Sequence, residues 1–208
     1  MPTDLRRSVA PRHTAVVTME IQRGVVGDLS TIPELALEAE STGLVEAVAR
    51  LLAAARGAGV AVVHCTAGFR PDGASTPRNA PIITAMLRRP DHLIEGTPAV
   101  ELIPALGPEP TDYVSARRHG VSPFGGTSLD ATLRGLGVTT VVATGVSLNL
   151  GIPGLAIEAV NHGYWVVLPR DAVCGVPAEY ARSVIDNTMA LVATLTTVDE
   201  LIGCWSAG

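Results

Sequence analysis

The chain reads as an α/β protein, a three-layer αβα sandwich around a mostly parallel, doubly wound sheet of six strands. Three observations predict this. Short runs of β-branched and other aliphatic residues recur without polar interruption, as in strands covered on both faces. Between them lie stretches whose apolar residues return at helical spacing. The composition is 47% hydrophobic yet only 3% aromatic, so the core is aliphatic, which suits parallel strands held between helices. With 208 residues there is chain for one sizeable core, and a single domain over 1–208 is expected, with residues 1–12 as a polar N-terminal arm.

Thr14 to Met19 is the first buried strand, and the change to Glu20, Gln22 and Arg23 marks its C-terminal end. In a parallel sheet that end carries the ligand edge. Leu44, Val45, Val48, Leu51, Leu52 and Ala55 recur at helical spacing until Gly57 and Gly59, and Val60 to His64 is the second strand. From Cys65 to about Ala80 a Gly-, Pro- and Ser-rich stretch predicts a long loop over the same edge, and loops of that length are often functional. Pro81 to Leu87 is a short helix, Gly96 to Pro110 a proline-rich connection, and Asp112 to Ala116 a third strand ending in Arg117, Arg118 and His119. Thr127 to Asp130 has capping-box spacing and opens a helix through Leu136.

Thr140 to Ala143 is the fourth strand. Gly145 then frees the loop, Asn149 is placed to cap the next helix, and Pro153 fits its first turn. The free N–H groups of that helix should face the region above the strand. Tyr164 to Leu168 is a fifth strand, Pro177 to Ala190 a helix, Leu195 to Val198 a sixth strand, and a helical stub ends at Trp205.

The net charge of −5 comes from 15 basic and 20 acidic residues scattered along the chain, which argues against nucleic acid as a partner. Cys65, Cys174 and Cys204 are odd in number and lack zinc-ligand spacing, so neither a disulfide framework nor structural zinc is expected. No apolar run reaches the roughly 20 residues of a membrane span, and the first residues lack a signal-peptide centre. A cytoplasmic location without membrane association is the expectation. No phosphate-binding glycine motif and no H-E-x-x-H is present, so no cofactor and no metal are expected.

The stretch Thr144-Gly-Val-Ser-Leu-Asn-Leu-Gly151, followed by an apolar helix, resembles the nucleophile loop of the isochorismatase-like cysteine hydrolases. The resemblance runs from Thr14 to about Leu201 and includes Glu20-Ile21-Gln22 after the first strand, Phe124-Gly-Gly-Thr127-Ser-Leu129, and Asp171-Ala172 after an apolar strand. It implies a fold of that family and a triad of aspartate, lysine and cysteine, whose thiolate attacks a carbonyl or imine carbon beside an oxyanion hole. In this chain the three slots hold Glu20, Arg118 and Gly151. Glycine has no side chain, so a thioester at 151 is impossible. The carboxylate and the cation persist, although arginine is a planar fork that does not give up its proton.

Two readings of that substitution stand side by side. In one, Glu20 and Arg118, the helix N-terminus and Arg117 or His119 bind a small anionic or carbonyl-bearing ligand, with Gln22, Phe124, Val146, Ser147 and Asn149 counted into the same pocket. Glu20 would then act without cysteine, in hydration or vinyl-ether cleavage; burial favours its acid form and a neighbouring guanidinium its carboxylate. In the other, an internal ion pair plugs a dead site and the protein is a non-catalytic pseudoenzyme with a structural or partner-binding role. Ser147 is not in a G-x-S-x-G motif and reads as a loop hydroxyl, while Cys65 and Cys174 read as small core residues. His64 has no second histidine nearby for a metal, and His13, His92 and His162 read as solvated. The resemblance also implies a homodimer or homotetramer, for which Leu155, Ile157 and Val160 serve as core or interface, and a cis peptide at Val146–Ser147.

Overall fold

The computed structural model describes residues 4–206. Its sheet has seven strands: β1 (Thr14–Met19), β2 (Ala61–Ala67), β3 (Tyr113–Arg117), β4 (Thr140–Val146), β5 (Trp165–Pro169), β6 (Val173–Cys174) and β7 (Thr194–Thr196). The order is β3-β2-β1-β4-β5-β7, with β6 continuing beside β4, and every pairing is parallel. β6 is the strand beyond the six expected. Its two residues are too few to show a period in sequence.

The aliphatic runs divide between two cores because side chains alternate across a strand. On β1, Val16 packs into one core, while Ala15, Val17 and Met19 pack into the other. The first core is closed by the helices Leu44–Gly57 and Val198–Trp205, the second by Leu129–Gly135, Gly151–Asn161 and Ala178–Val184. Leu155 is fully buried on the helix Gly151–Asn161, whereas Ile157 and Val160 are about half exposed. The solvent-facing pair is therefore not core.

Several local expectations change. The segment taken as a polar arm is docked: Leu5–Ser8 is a helical turn, Val9 is fully buried, and Trp205 Nε1 donates to Val9 O at 2.8 Å. Pro33–Ser41 is a helix, with proline at its start and Glu34 in its first turn. The capping box at Thr127 does not form, because Ser128 occupies the cap position in helical conformation and Thr127 Oγ1 accepts from Leu129 N at 3.2 Å. A true capping box joins Thr197 and Glu200 at the start of the last helix. The helix expected from Pro177 to Ala190 is interrupted by a π turn at Ile185–Met189.

Candidate functional site

The strand order reverses between β1 and β4, and in open parallel sheets the crevice beyond such a point receives ligands. Glu20 follows β1 there, and the loop after β4 leads into the helix Gly151–Asn161. Glu20 sits at φ +51° with its N–H donating to Cys65 O at 2.9 Å. A left-handed conformation costs an L-residue about 1–2 kcal/mol, and such residues gather where a side chain must be aimed.

Its partner is Arg117, the last residue of β3. Arg117 Nη2 donates to Glu20 Oε1, and the two side chains are 7% and 18% exposed. Arg117 Nε reaches Gly120 O at 3.5 Å, while its buried Nη1 has no hydrogen-bond partner. The cation expected beside Glu20 was Arg118. Alternation along an extended chain turns the neighbouring residue the other way, and Arg118 pairs with Glu95 on a largely exposed surface. The motif spacing points to 118 while the strand presents 117.

Glu20, Arg117, Ser147, Asn149 and Gly151 line a cavity of about 270 Å³ whose remaining wall is Val25, Ile32, Leu35, Ile82, Met86, Val121, Leu150 and Val176. The sequence reading missed this apolar wall. Ile32 and Leu35 come with the helix Pro33–Ser41, whose proline and glutamate were its readable signal. Ile82 and Met86 come with the helix Pro81–Leu87, which was expected as an element but not as a wall.

At Gly151 a Cβ would lie 2.9 Å from Val146 O and 3.1 Å from Met19 Cε. Backbone and core have closed onto the glycine. Gly145 is tighter still, at φ +103° with an added Cβ only 2.3 Å from Met19 O. The Val146–Ser147 peptide is cis. Asn149 does not cap the helix; its amide pairs both ways with the backbone of Val176, accepting at 3.0 Å, and Leu150 holds the cap position.

The other expected pocket residues are held elsewhere. Gln22 is fully buried and its amide is spent on backbone, with Nε2 donating to Ala67 O at 2.9 Å and Val100 O at 2.8 Å and Oε1 accepting from Ala67 N at 2.8 Å. Phe124 is buried in a stack on His162 with centroids 5.0 Å apart, and Val146 is core. His119 packs over Gly126, where a Cβ would come within 2.8 Å of its ring. Asp171 caps the last helix by accepting from Val198 N at 2.9 Å.

The cysteines offer no replacement nucleophile at this site. Cys65 stands close to the Glu20–Arg117 pair, but it is buried and burial pushes its thiol up to about 12, as it does for Cys174. Nucleophilic thiols are instead held low by exposure and nearby cations.

A second polar cluster lies inside the first core. His64 is fully buried, and burial lowers its proton affinity, so it is neutral. Its Nε2 donates to Asp112 Oδ2 at 3.2 Å, and Nδ1 accepts from Thr18 Oγ1 at 2.8 Å. Asp112 also takes Arg56 through both oxygens, at 3.1 and 2.7 Å. Burial opposes ionisation of Asp112, but Arg56, the Glu109 N–H and His64 together hold it below its ordinary range. With both ring nitrogens engaged and no exposure, this chain is scaffold. His92 is also buried rather than solvated, held by Thr31 Oγ1 at 2.6 Å. Among the described residues no group of three or more metal-ligating side chains is gathered. No described helix is long and apolar enough to cross a membrane. A larger groove of about 620 Å³ beside Asp28, Leu37 and Glu46 contains no cation, cysteine or histidine.

Comparison with known proteins places this arrangement. The isochorismatase domain model matches residues 14–200. A ureidoacrylate amidohydrolase of Methylorubrum extorquens is 30% identical over 179 residues, 79% of this chain and 72% of that protein. A maleamate amidohydrolase of Pseudomonas putida is 34% identical over 133 residues, 62% of this chain and 59% of that protein. Among solved structures, a cysteine hydrolase from Pseudomonas syringae pv. phaseolicola superposes with a TM-score of 0.83 at 25% identity, covering 100% of this chain and 99% of that one. An N-carbamoylsarcosine amidase from Thermoplasma acidophilum gives 0.71 at 26% identity, with 90% and 97% covered.

Proposed function

The chain belongs to the isochorismatase family, and from that premise we propose that it holds a small molecule in the Glu20–Arg117–Gly151 pocket and acts on it without a covalent intermediate. The observation that carries this reading is that Gly151 lines the same cavity as an intact, oppositely charged pair. Val146 O and Met19 close over the Cβ position of residue 151, but about 270 Å³ remains open beside the Glu20–Arg117 pair. That supports ligand binding over a plugged, purely structural site.

Relatives bear the names ureidoacrylate amidohydrolase and maleamate amidohydrolase. An amide cleaved through a thioester needs a thiol at the helix N-terminus, and Gly151 supplies none. Of the two reactions open to a carboxylate alone, hydration fits better than vinyl-ether cleavage. In hydration the carboxylate paired with Arg117 takes a proton from the attacking water as the C–O bond forms and returns it to the adjacent carbon as the C=C bond is consumed. No net proton is required, whereas vinyl-ether cleavage starts from a proton that must already be held.

A turnover screen over α,β-unsaturated acids and vinyl ethers tests this, with Glu20→Gln and iodoacetamide-treated protein run in parallel. Turnover should be lost by about 10²–10⁴-fold in Glu20→Gln, the range for a positioned acid or base, and should survive alkylation. Inactivation in step with cysteine labelling would overturn the reading.

A further inference from the structure

From Gly24 to Ala49 the chain carries Asp28, Glu34, Glu38, Glu40 and Glu46 and no lysine, arginine or histidine. Asp28 is neutralised by Arg23, which reaches its two oxygens at 2.9 and 2.7 Å. Among the described residues none of the four glutamates takes part in a salt bridge. The fold gathers this charge around an apolar trough. Helical spacing sends Leu35 into the first core and turns Ala36, Leu37 and Glu40 outward, where they line the larger groove. Val45 and Ile103 continue its floor, Glu46 stands on the helix Leu44–Gly57, and the space amounts to about 620 Å³. We infer that this groove is a docking surface for a basic amphipathic helix of another protein.

An exposed apolar surface rimmed by polar groups marks an interaction site, and here the charge specifies the occupant. Unpaired carboxylates on both helices attract a cationic partner and turn away nucleic acid and anionic membrane. A helix laid in a groove is read by apolar anchors at i, i+3, i+4 and i+7, and lysine or arginine beside that stripe would meet Glu40 on one helix and Glu46 on the other. A small amine engages one carboxylate and leaves Leu37, which is 64% exposed, in water. A helix lying along the trough covers Leu37 and answers both carboxylates. No residue lines both this groove and the Glu20–Arg117 cavity, so the inference does not rest on the reading of that cavity.

The test is calorimetric titration of the full chain with a leucine–lysine peptide in that pattern, of about 15 residues, the length at which an isolated helix begins to hold in water. The comparison ligands are the same pattern with glutamate for lysine, the leucine–lysine composition in scrambled order, and octylamine. The patterned basic peptide should bind saturably, one per chain, with the others at least tenfold weaker. Glu40→Gln with Glu46→Gln should weaken it at least tenfold, Leu37→Ser several-fold, and added salt should weaken it by screening. Glu179→Gln with Asp186→Asn removes the same charge from the helical layer on the other face of the sheet and should leave the affinity unchanged. All five positions are exposed, so none of these variants disturbs the core. Scrambled peptide binding as tightly as the patterned one would reduce the effect to bulk charge and overturn the inference. Octylamine binding as tightly would replace the helix by a small amine, and affinity indifferent to Leu37, Glu40 and Glu46 would place binding elsewhere; either result overturns it as well.

Discussion

Two adjacent arginines do different work because one faces into the sheet edge and the other faces water. Arg117 shares a largely buried pair with Glu20, while Arg118 meets Glu95 on an exposed surface. Removing one member of a buried pair leaves a charge stranded, at a cost of up to about 3–5 kcal/mol, whereas exposed pairs contribute about 0–1 kcal/mol. Arg117→Met should therefore lower stability by a few kcal/mol and Arg118→Ala by less than one, read by urea unfolding. Equal effects would contradict the assignment. The sequence made the carboxylate legible through its place after the first apolar run, and the missing nucleophile through the loop motif. Which arginine served the site was not legible, because motif spacing counts residues while strand alternation and the loop at Gly120 decide direction. The left-handed backbone at Glu20 also left no trace in residue type, since nothing about glutamate announces it.

At the scale of elements, long aliphatic runs announced β1 and β4 clearly, and glycines at helix ends marked boundaries. Short or polar elements were hidden. The helix Pro33–Ser41 buries only Leu35 and Ala39, too few for a visible stripe, yet it supplies part of the pocket wall. The Asp171-Ala172 signature was readable as a family mark, and its physical use is structural. Asp171 accepts the Val198 N–H from across the fold, beside the local capping box of Thr197 and Glu200. Asp171→Ala should cost about 0.5–2 kcal/mol, the range for a lost cap, with the pocket unaffected. Loss of ligand binding without loss of stability would show that Asp171 belongs to the site instead.

For the whole molecule, two buried histidines set the response to acid. Burial lowers the proton affinity of both, to about 4 for His92, from an ordinary value near 6.5. The unfolded chain takes up protons below about 6.5 while the folded chain does not, so protonation favours unfolding. The melting temperature should fall as pH drops from about 6.5 toward 4, and His92→Gln should flatten part of that slope. A melting temperature constant across this range would contradict the neutral buried histidines. The same fold that fixes these groups brings Glu20, Arg117 and Gly151 together at the point where the strand order reverses, with the family's framework in place and no thiol at its helix terminus. Ammonia release from maleamate by the purified wild-type chain tests that reading most directly. The rate should not rise above the protein-free background at any protein concentration. Sustained release proportional to the amount of protein would contradict it.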